Sequence, residues 1–244
     1  MIAPTRWLLH LENHLPRARR GDDPEGVHQV RVAGRRLRVW LELGGYRVLH
    51  DDLRWLVRGA GKVRDLEALL TPRSGEVLLT PRSGEVTLPK SFAAWLAEKL
   101  RIAREELLLS LDSPRLAGLT RALHNLPPLP VPQARRRLER FERRVQKRQA
   151  AWQATRTLED LHALRRALRR LRYAREYLEQ EVEDLKALQE ALGQLNDAVV
   201  ALGYLDEFEA AGGRSAPGYR KSLEAQREAG LAVVGRRLDS GSRA

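Results

Sequence analysis

Six arginines and one histidine crowd into the fifteen residues Leu161 to Arg175, LHALRRALRRLRYAR, with no carboxylate among them. On a helix advancing about 100° per residue, His162, Arg165, Arg169 and Arg172 share an arc of roughly 80°. Leu161, Leu164, Leu168 and Leu171 form an apolar stripe beside that arc. Arginines at i, i+3 and i, i+4 repel one another by about 0.2–0.5 kcal/mol per pair in an isolated helix. Surface helices usually relieve that repulsion with interleaved glutamates, and this stretch has none. Guanidinium forks bind phosphate oxygens in bidentate fashion and stay charged at physiological pH. The chemistry predicted is therefore recognition of a polyanion, with the counter-charge arriving from outside the chain.

The pattern occurs twice. Residues 27–41, VHQVRVAGRRLRVWL, also lack an acid, and His28, Arg31, Arg35, Arg36, Leu37 and Arg38 align without a gap with His162, Arg165, Arg169, Arg170, Leu171 and Arg172. One basic helix is ordinarily a solvated face; two copies of H-x-x-R-x-x-x-R-R-L-R make an internal repeat. Each stripe covers about 15 Å of helix, which suits a long regular polyanion better than one phosphate group. Each histidine can donate to a phosphate oxygen and would gain charge beside it; the bland alternative is that His28 and His162 only cap or pack.

The rest of the chain must position these helices. Its 244 residues allow one large or two small domains around a real core. Lys and Arg number 44 against 32 Asp and Glu, a net charge of +12, which favours nucleic acid, a phosphate polymer or an anionic membrane surface as partner. The absence of cysteine excludes disulfides and thiolate chemistry and fits a cytoplasmic location. The N-terminus has only a short, interrupted apolar run, unlike a signal peptide, and no segment approaches the roughly 20 apolar residues of a membrane span.

Apolar spacing is helical almost throughout, so the expected fold class is all-α. Helices are expected at 3–19, 25–43, 50–70, 90–111, 114–124, 133–157, 158–180, 183–210 and 217–238. LLTPRSGEV occurs twice in succession over 69–86 and reads as an exposed loop of no functional weight. NLPPLPVPQA, with four prolines, reads as a semi-rigid linker. The expected organisation is a first bundle at 1–124, a linker at 125–134 and a second bundle at 135–244. The repeat also extends beyond the basic helices: LRWLVRGAGKVRDLEALL at 53–70 aligns with LKALQEALGQLNDAVVAL at 185–202, pairing Arg54 with Lys186 and Asp65 with Asp197. Two similar bundles about a pseudo-two-fold axis would bring both basic helices to one surface.

With VHQVRVAGRRLR, LHALRRALRRLRY, GKVRDLEAL and LKALQEALGQLND in this order, the chain resembles the CHAD domain family over about residues 5–238. The resemblance implies two four-helix-type bundles around a basic central pore, and binding of inorganic polyphosphate there. It also implies association with polyphosphate granules, either alone or fused to a triphosphatase. By position it implicates His28, Arg31, Arg35, Arg38 and Arg64 in the first half, and His162, Arg165, Arg169, Arg172 and Lys186 in the second. Arg54 joins them as the match of Lys186. Arg36, Arg170 and the pair Arg104 with Arg227 are weaker candidates. Asn196 stands where the first half has Arg64, so the two ends of the pore should differ.

The remaining motifs carry little chemistry. Asp65 and Asp197 read as intramolecular partners that position the basic helices, being too few for a metal cage. His10 and His14 have i, i+4 spacing, but Leu11 occupies the glutamate position of a metalloprotease helix, so they read as surface histidines. No phosphate-cradling loop, nucleophile elbow or E-x-E-x-K pattern occurs, and no catalytic set, cofactor or metal site is expected. The expectation is a non-enzymatic polyphosphate binder without membrane contact. Its rivals are a nucleic-acid binder, disfavoured because no aromatic stripe accompanies the arginines, and a metal-dependent polyphosphate hydrolase using His28, His162 and the aspartates.

Overall fold

The computed structural model describes residues 1–71 and 87–240, and these are helical almost throughout. In chain order they form α1 (Thr5–Arg20), α2 (Pro24–Gly44), α3 (His50–Leu70), α4 (Lys90–Leu111), α5 (Pro114–His124), α6 (Val131–Thr155), α7 (Leu158–Tyr177), α8 (Glu183–Ala210) and α9 (Pro217–Ser240). Among the described residues no helix is long and apolar enough to cross a membrane. Most of the duplicated LLTPRSGEV segment lies outside the described residues.

Local chemistry explains where the two basic helices begin. Asp23 caps α2, its carboxylate accepting the Glu25 N–H at 2.7 Å, and Pro24 sits in the first turn where its missing donor does no harm. Thr157 caps α7 by accepting the Asp160 N–H at 3.3 Å. Asp23 and Thr157 stand at the same distance before the histidine of each motif, so both copies are started by the same device. α2 ends at Gly45, which adopts φ 70° and returns its N–H to the Glu42 carbonyl.

The chain divides into two compact units. The first joins Met1–Glu67 to Leu100–Val182, and the second joins Ala68–Lys99 to Glu183–Ala244. These boundaries differ from the halves expected at 1–124 and 135–244. In particular, the segment expected to link the halves lies inside the first unit. Ile2 and Leu129 exchange backbone hydrogen bonds at 2.8 and 2.9 Å, the Trp40 indole donates to the Ile2 carbonyl at 3.0 Å, and Leu129 is 2% exposed. A proline-rich stretch cannot be helical along its length, but its free carbonyls can still be paired. α6 takes up its last residues, because Pro132 falls in the first turn.

In the first unit α1 packs on α2, α6 on α7, and α2 against both α6 and α7. Apolar faces of α2 (Val30, Ala33, Leu37, Trp40, Leu41) and α7 (Leu164, Leu171, Ala174) are fully buried or nearly so. Gly26 lets α1 and α2 approach: a β-carbon there would lie 2.6 Å from the Ala18 backbone nitrogen. In the second unit α8 packs on α9, with Phe92, Trp95, Phe208 and Tyr219 clustered in ring contact.

Candidate functional site

Both copies of the histidine–arginine motif lie in the first unit, on α2 and α7, which pack on one another. Their hydrophobic faces are committed to the core, so the cations of the two helices are crowded at the contact. The crowding is most severe at Arg35 and Arg169, which occupy the same place in the two copies. Both are half-buried. Burial, followed by the facing Arg169 charge, pushes the Arg35 guanidinium down to about 8. Burial and the neighbouring Arg165 push Arg169 down to about 10. No carboxylate among the described residues pairs with Arg35, Arg169 or Arg38, and the Arg38 Nε is buried without a hydrogen-bond partner. Burial and Arg170 lower Arg38 as well.

The second arginine of each R-R doublet is treated differently. Arg36 bonds Glu176, and its guanidinium lies over the rings of Trp7 and Tyr173 at 4.0 and 4.3 Å. Arg170 bonds Glu42, which also receives Arg144 at 3.4 Å. Glu42 follows Arg36 at the spacing by which Glu176 follows Arg170. The two ion pairs are thus reciprocal: each copy's arginine takes the other copy's glutamate. The sequence expectation that the counter-charge comes only from outside the chain is corrected here. Arg36 and Arg170 are answered within the molecule, and Glu42 and Asp51 act on Arg38 from a distance, while Arg35 and Arg169 are not answered.

The flanks complete the set. Arg31 pairs with Asp65 at 3.0 Å, in keeping with the positioning role read for that aspartate. Arg64 lies 3.9 Å from Glu67, which is 2% exposed and accepts from Arg104 at 3.1 Å. Burial raises the Glu67 carboxyl even against those two arginines. The His28 Nδ1 is buried without a partner, and burial, with Arg64, Arg31 and Arg35 against the opposing charge of Glu25, holds its pKa below the ordinary value. Burial, with Arg165 and Arg166, does the same to His162. Arg172 stands 3.4 Å from Glu176. Arg54 is exposed and pairs with Asp51 at 2.9 Å, close enough to act on Arg38 and Arg170. His10 and His14 are half-buried, donating to Gln29 and to the His10 carbonyl. Among the described residues no group of three His, Asp or Glu could hold a metal ion.

A family model described as the CHAD domain matches residues 5–206. The chain belongs to the CHAD family. The crystal structure of the CHAD domain from the plant Ricinus communis is similar, with 26% identity, a TM-score of 0.68, and coverage of 97% of this chain and 86% of that one. PptA from Streptomyces chartreusis shares the fold at 20% identity and a TM-score of 0.62, covering 97% of this chain and 96% of its own. No curated protein matches.

Within this CHAD chain, the structure brings together His28, Arg31, Arg35, Arg36, Arg38, Arg54, Arg64, His162, Arg165, Arg169, Arg170 and Arg172 in one compact unit. Lys186 is in the other unit, exposed and paired with Glu183 at 2.5 Å. Sequence reasoning missed Glu42, Glu176 and the ring pair Trp7 and Tyr173. The glutamates had a signal: an acid six residues after the second arginine of the doublet in both copies, immediately beyond the acid-free windows.

Proposed function

We propose that this CHAD protein binds inorganic polyphosphate without turning it over. The polymer lies along a basic channel formed by the motif faces of α2 and α7, which are related by a pseudo-two-fold axis of the duplicated bundles. The observation that carries the reading is the Arg35–Arg169 encounter. Two half-buried guanidinium groups at equivalent positions repel each other, and no carboxylate of the described chain answers them. A fold does not retain such repulsion for stability; an anion between the two would turn an unfavourable charge interaction of the site into a favourable one.

The roles follow from position. Arg31, Arg35, Arg38, Arg165, Arg169 and Arg172 contact successive phosphates, with Arg54 and Arg64 at the margins. His28 and His162 donate to phosphate oxygens and take up protons as they do so. Arg36 and Arg170 hold the two helices at their crossing and add long-range charge. A recurrent row of cations suits a polymer of identical anionic units and needs no base readout or stacking platform. The reading would place the protein in the cytoplasm, at polyphosphate granules where these form.

The test is a calorimetric titration of the purified protein with polyphosphate, repeated with DNA and RNA as competitors at one fixed salt concentration. Polyphosphate binding that survives nucleic-acid competition and weakens linearly in log–log salt supports the reading. Displacement of polyphosphate by DNA or RNA, or release of phosphate from the polymer in the presence of Mg²⁺ or Mn²⁺, overturns it.

A further inference from the structure

We infer that the solvent face of α6 is a second track for the same phosphate chain, continuing the α2–α7 site outward; this rests on the polyphosphate reading above. α6 carries eight cations, Arg135, Arg136, Arg137, Arg140, Arg143, Arg144, Lys147 and Arg148, against two acids, Glu139 and Glu142. Its apolar residues Ala134, Leu138, Phe141, Val145 and Trp152 are buried. Opposite them, Arg136, Arg140, Arg143 and Lys147 recur at i, i+4, i+7 and i+11. They fall within an arc of about 60° and extend over roughly 16 Å of helix. All four are exposed.

The two acids do not neutralise this row. Glu142 is drawn to α7, where Arg175 lies 3.7 Å away, and Glu139 pairs with one member of the row, Arg143, at 3.3 Å. Arg136, Arg140 and Lys147 have no ion-pair partner among the described residues. The row is also joined to the inner site. Arg144, on its flank, is 3.4 Å from Glu42, the same carboxylate that holds Arg170. Cations therefore succeed one another from Arg38 and Arg170, through Arg144, to the exposed stripe. A polymer too long for the inner site meets this stripe next. A short one does not reach it.

The prediction is a dependence on chain length. With Arg136→Gln, Arg140→Gln, Arg143→Gln and Lys147→Gln combined, affinity for long-chain polyphosphate should fall about tenfold or more at fixed salt. The slope of log K against log salt should become shallower by about 2–3, as expected for losing four phosphate contacts. Affinity for a short chain should be unchanged, with helicity and melting temperature unaltered because the four side chains are exposed. Equal loss for short and long chains, or none for long ones, would overturn the second track. So would a loss confined to DNA or RNA, which would assign the stripe to nucleic acid. If the unsubstituted protein binds no polyphosphate of any length, the functional reading itself fails, and that result is separate from any effect of the variant.

Discussion

The two copies of one motif share their centre and differ at their flanks. At the centre, Arg35 faces Arg169, and the Arg36–Glu176 and Arg170–Glu42 pairs are exchanged reciprocally. At the flank of the first copy, Arg31 is held by Asp65, and Arg64 and Arg104 surround the buried Glu67. In the second half Asn196 and Val199 stand where the first has Arg64 and Glu67. The shared part fixes how the helices cross, which any polymer would need at every register. The differing part is a change of sequence: the first half carries an arginine and an acid where the second has neither.

The centre makes the largest prediction. Arg35→Ala and Arg169→Ala should each lower polyphosphate affinity about tenfold or more, since a hydrogen bond to a charged group contributes roughly 1.5–3 kcal/mol. Together they should lower it about a hundredfold. Without ligand the same variants should melt at higher temperature, because each removes a half-buried charge and its repulsion. If the two single variants differ in affinity by more than a few-fold, the copies are not equivalent. If both melt lower than the parent, the central repulsion has been misjudged.

The reciprocal pairs come next, and here stability is the readout. Glu176→Gln leaves Arg36 without its partner, and Glu42→Gln does the same to Arg170. An unsatisfied buried charged group costs about 1–3 kcal/mol or more. The Arg36 side chain is 14% exposed and that of Arg170 31%, so Glu176→Gln should destabilise more in urea denaturation. The stacking of Arg36 on Trp7 and Tyr173 adds to the same side. An equal cost for the two would mean that the pairing, not its burial, sets the energy.

The helices were legible because their signals are local. Asp23-Pro24, Ser113-Pro114, Gly44-Gly45 and the proline run mark ends that the backbone obeys to within a few residues. The repeat gave the cationic faces for the same reason, as i, i+3 and i, i+4 spacing needs no tertiary knowledge. Which arginines are answered from within was not legible, because the answer comes from another helix. Glu176 is four residues from Arg172, yet the arginine it pairs most closely is Arg36 on α2. Nor could proline content reveal that Leu129 is pinned to Ile2, since a β-bridge between segments far apart leaves no periodicity.

The histidines test the flanks through pH. Both pKa values lie below the ordinary 6.5 in the free protein, so both side chains are neutral at pH 7. A bound polyanion raises them, and the complex then holds more protons than the free protein. Affinity should rise a few-fold as pH falls through the window between the raised bound values and the depressed free ones, and then level off. In the absence of ligand the sign for folding is opposite. The unfolded chain binds the protons more readily, so stability is complete above about pH 6.5 and declines as pH falls through that value. Calorimetry in buffers of different ionisation enthalpy should register proton uptake on binding, reduced in His28→Gln and in His162→Gln. Uptake lost in only one variant would show that one copy alone presents its histidine to phosphate.

The smallest effects belong to the ends of the third helix of each half. Arg54 and Lys186 occupy equivalent positions, and each pairs with an acid three residues earlier, Asp51 at 2.9 Å and Glu183 at 2.5 Å. Both cations are about half exposed, and surface pairs of this kind contribute only about 0–1 kcal/mol. Substituting either by Ala should leave the melting temperature nearly unchanged. The difference should appear in binding. Arg54 lies close enough to Arg38 and Arg170 to lower both, so it shares their field, and Arg54→Ala should weaken polyphosphate binding a few-fold. For Lys186→Ala a loss of the same size would mean that the equivalence of the two halves extends to the ligand. No loss would confine the polymer to the α2–α7 side.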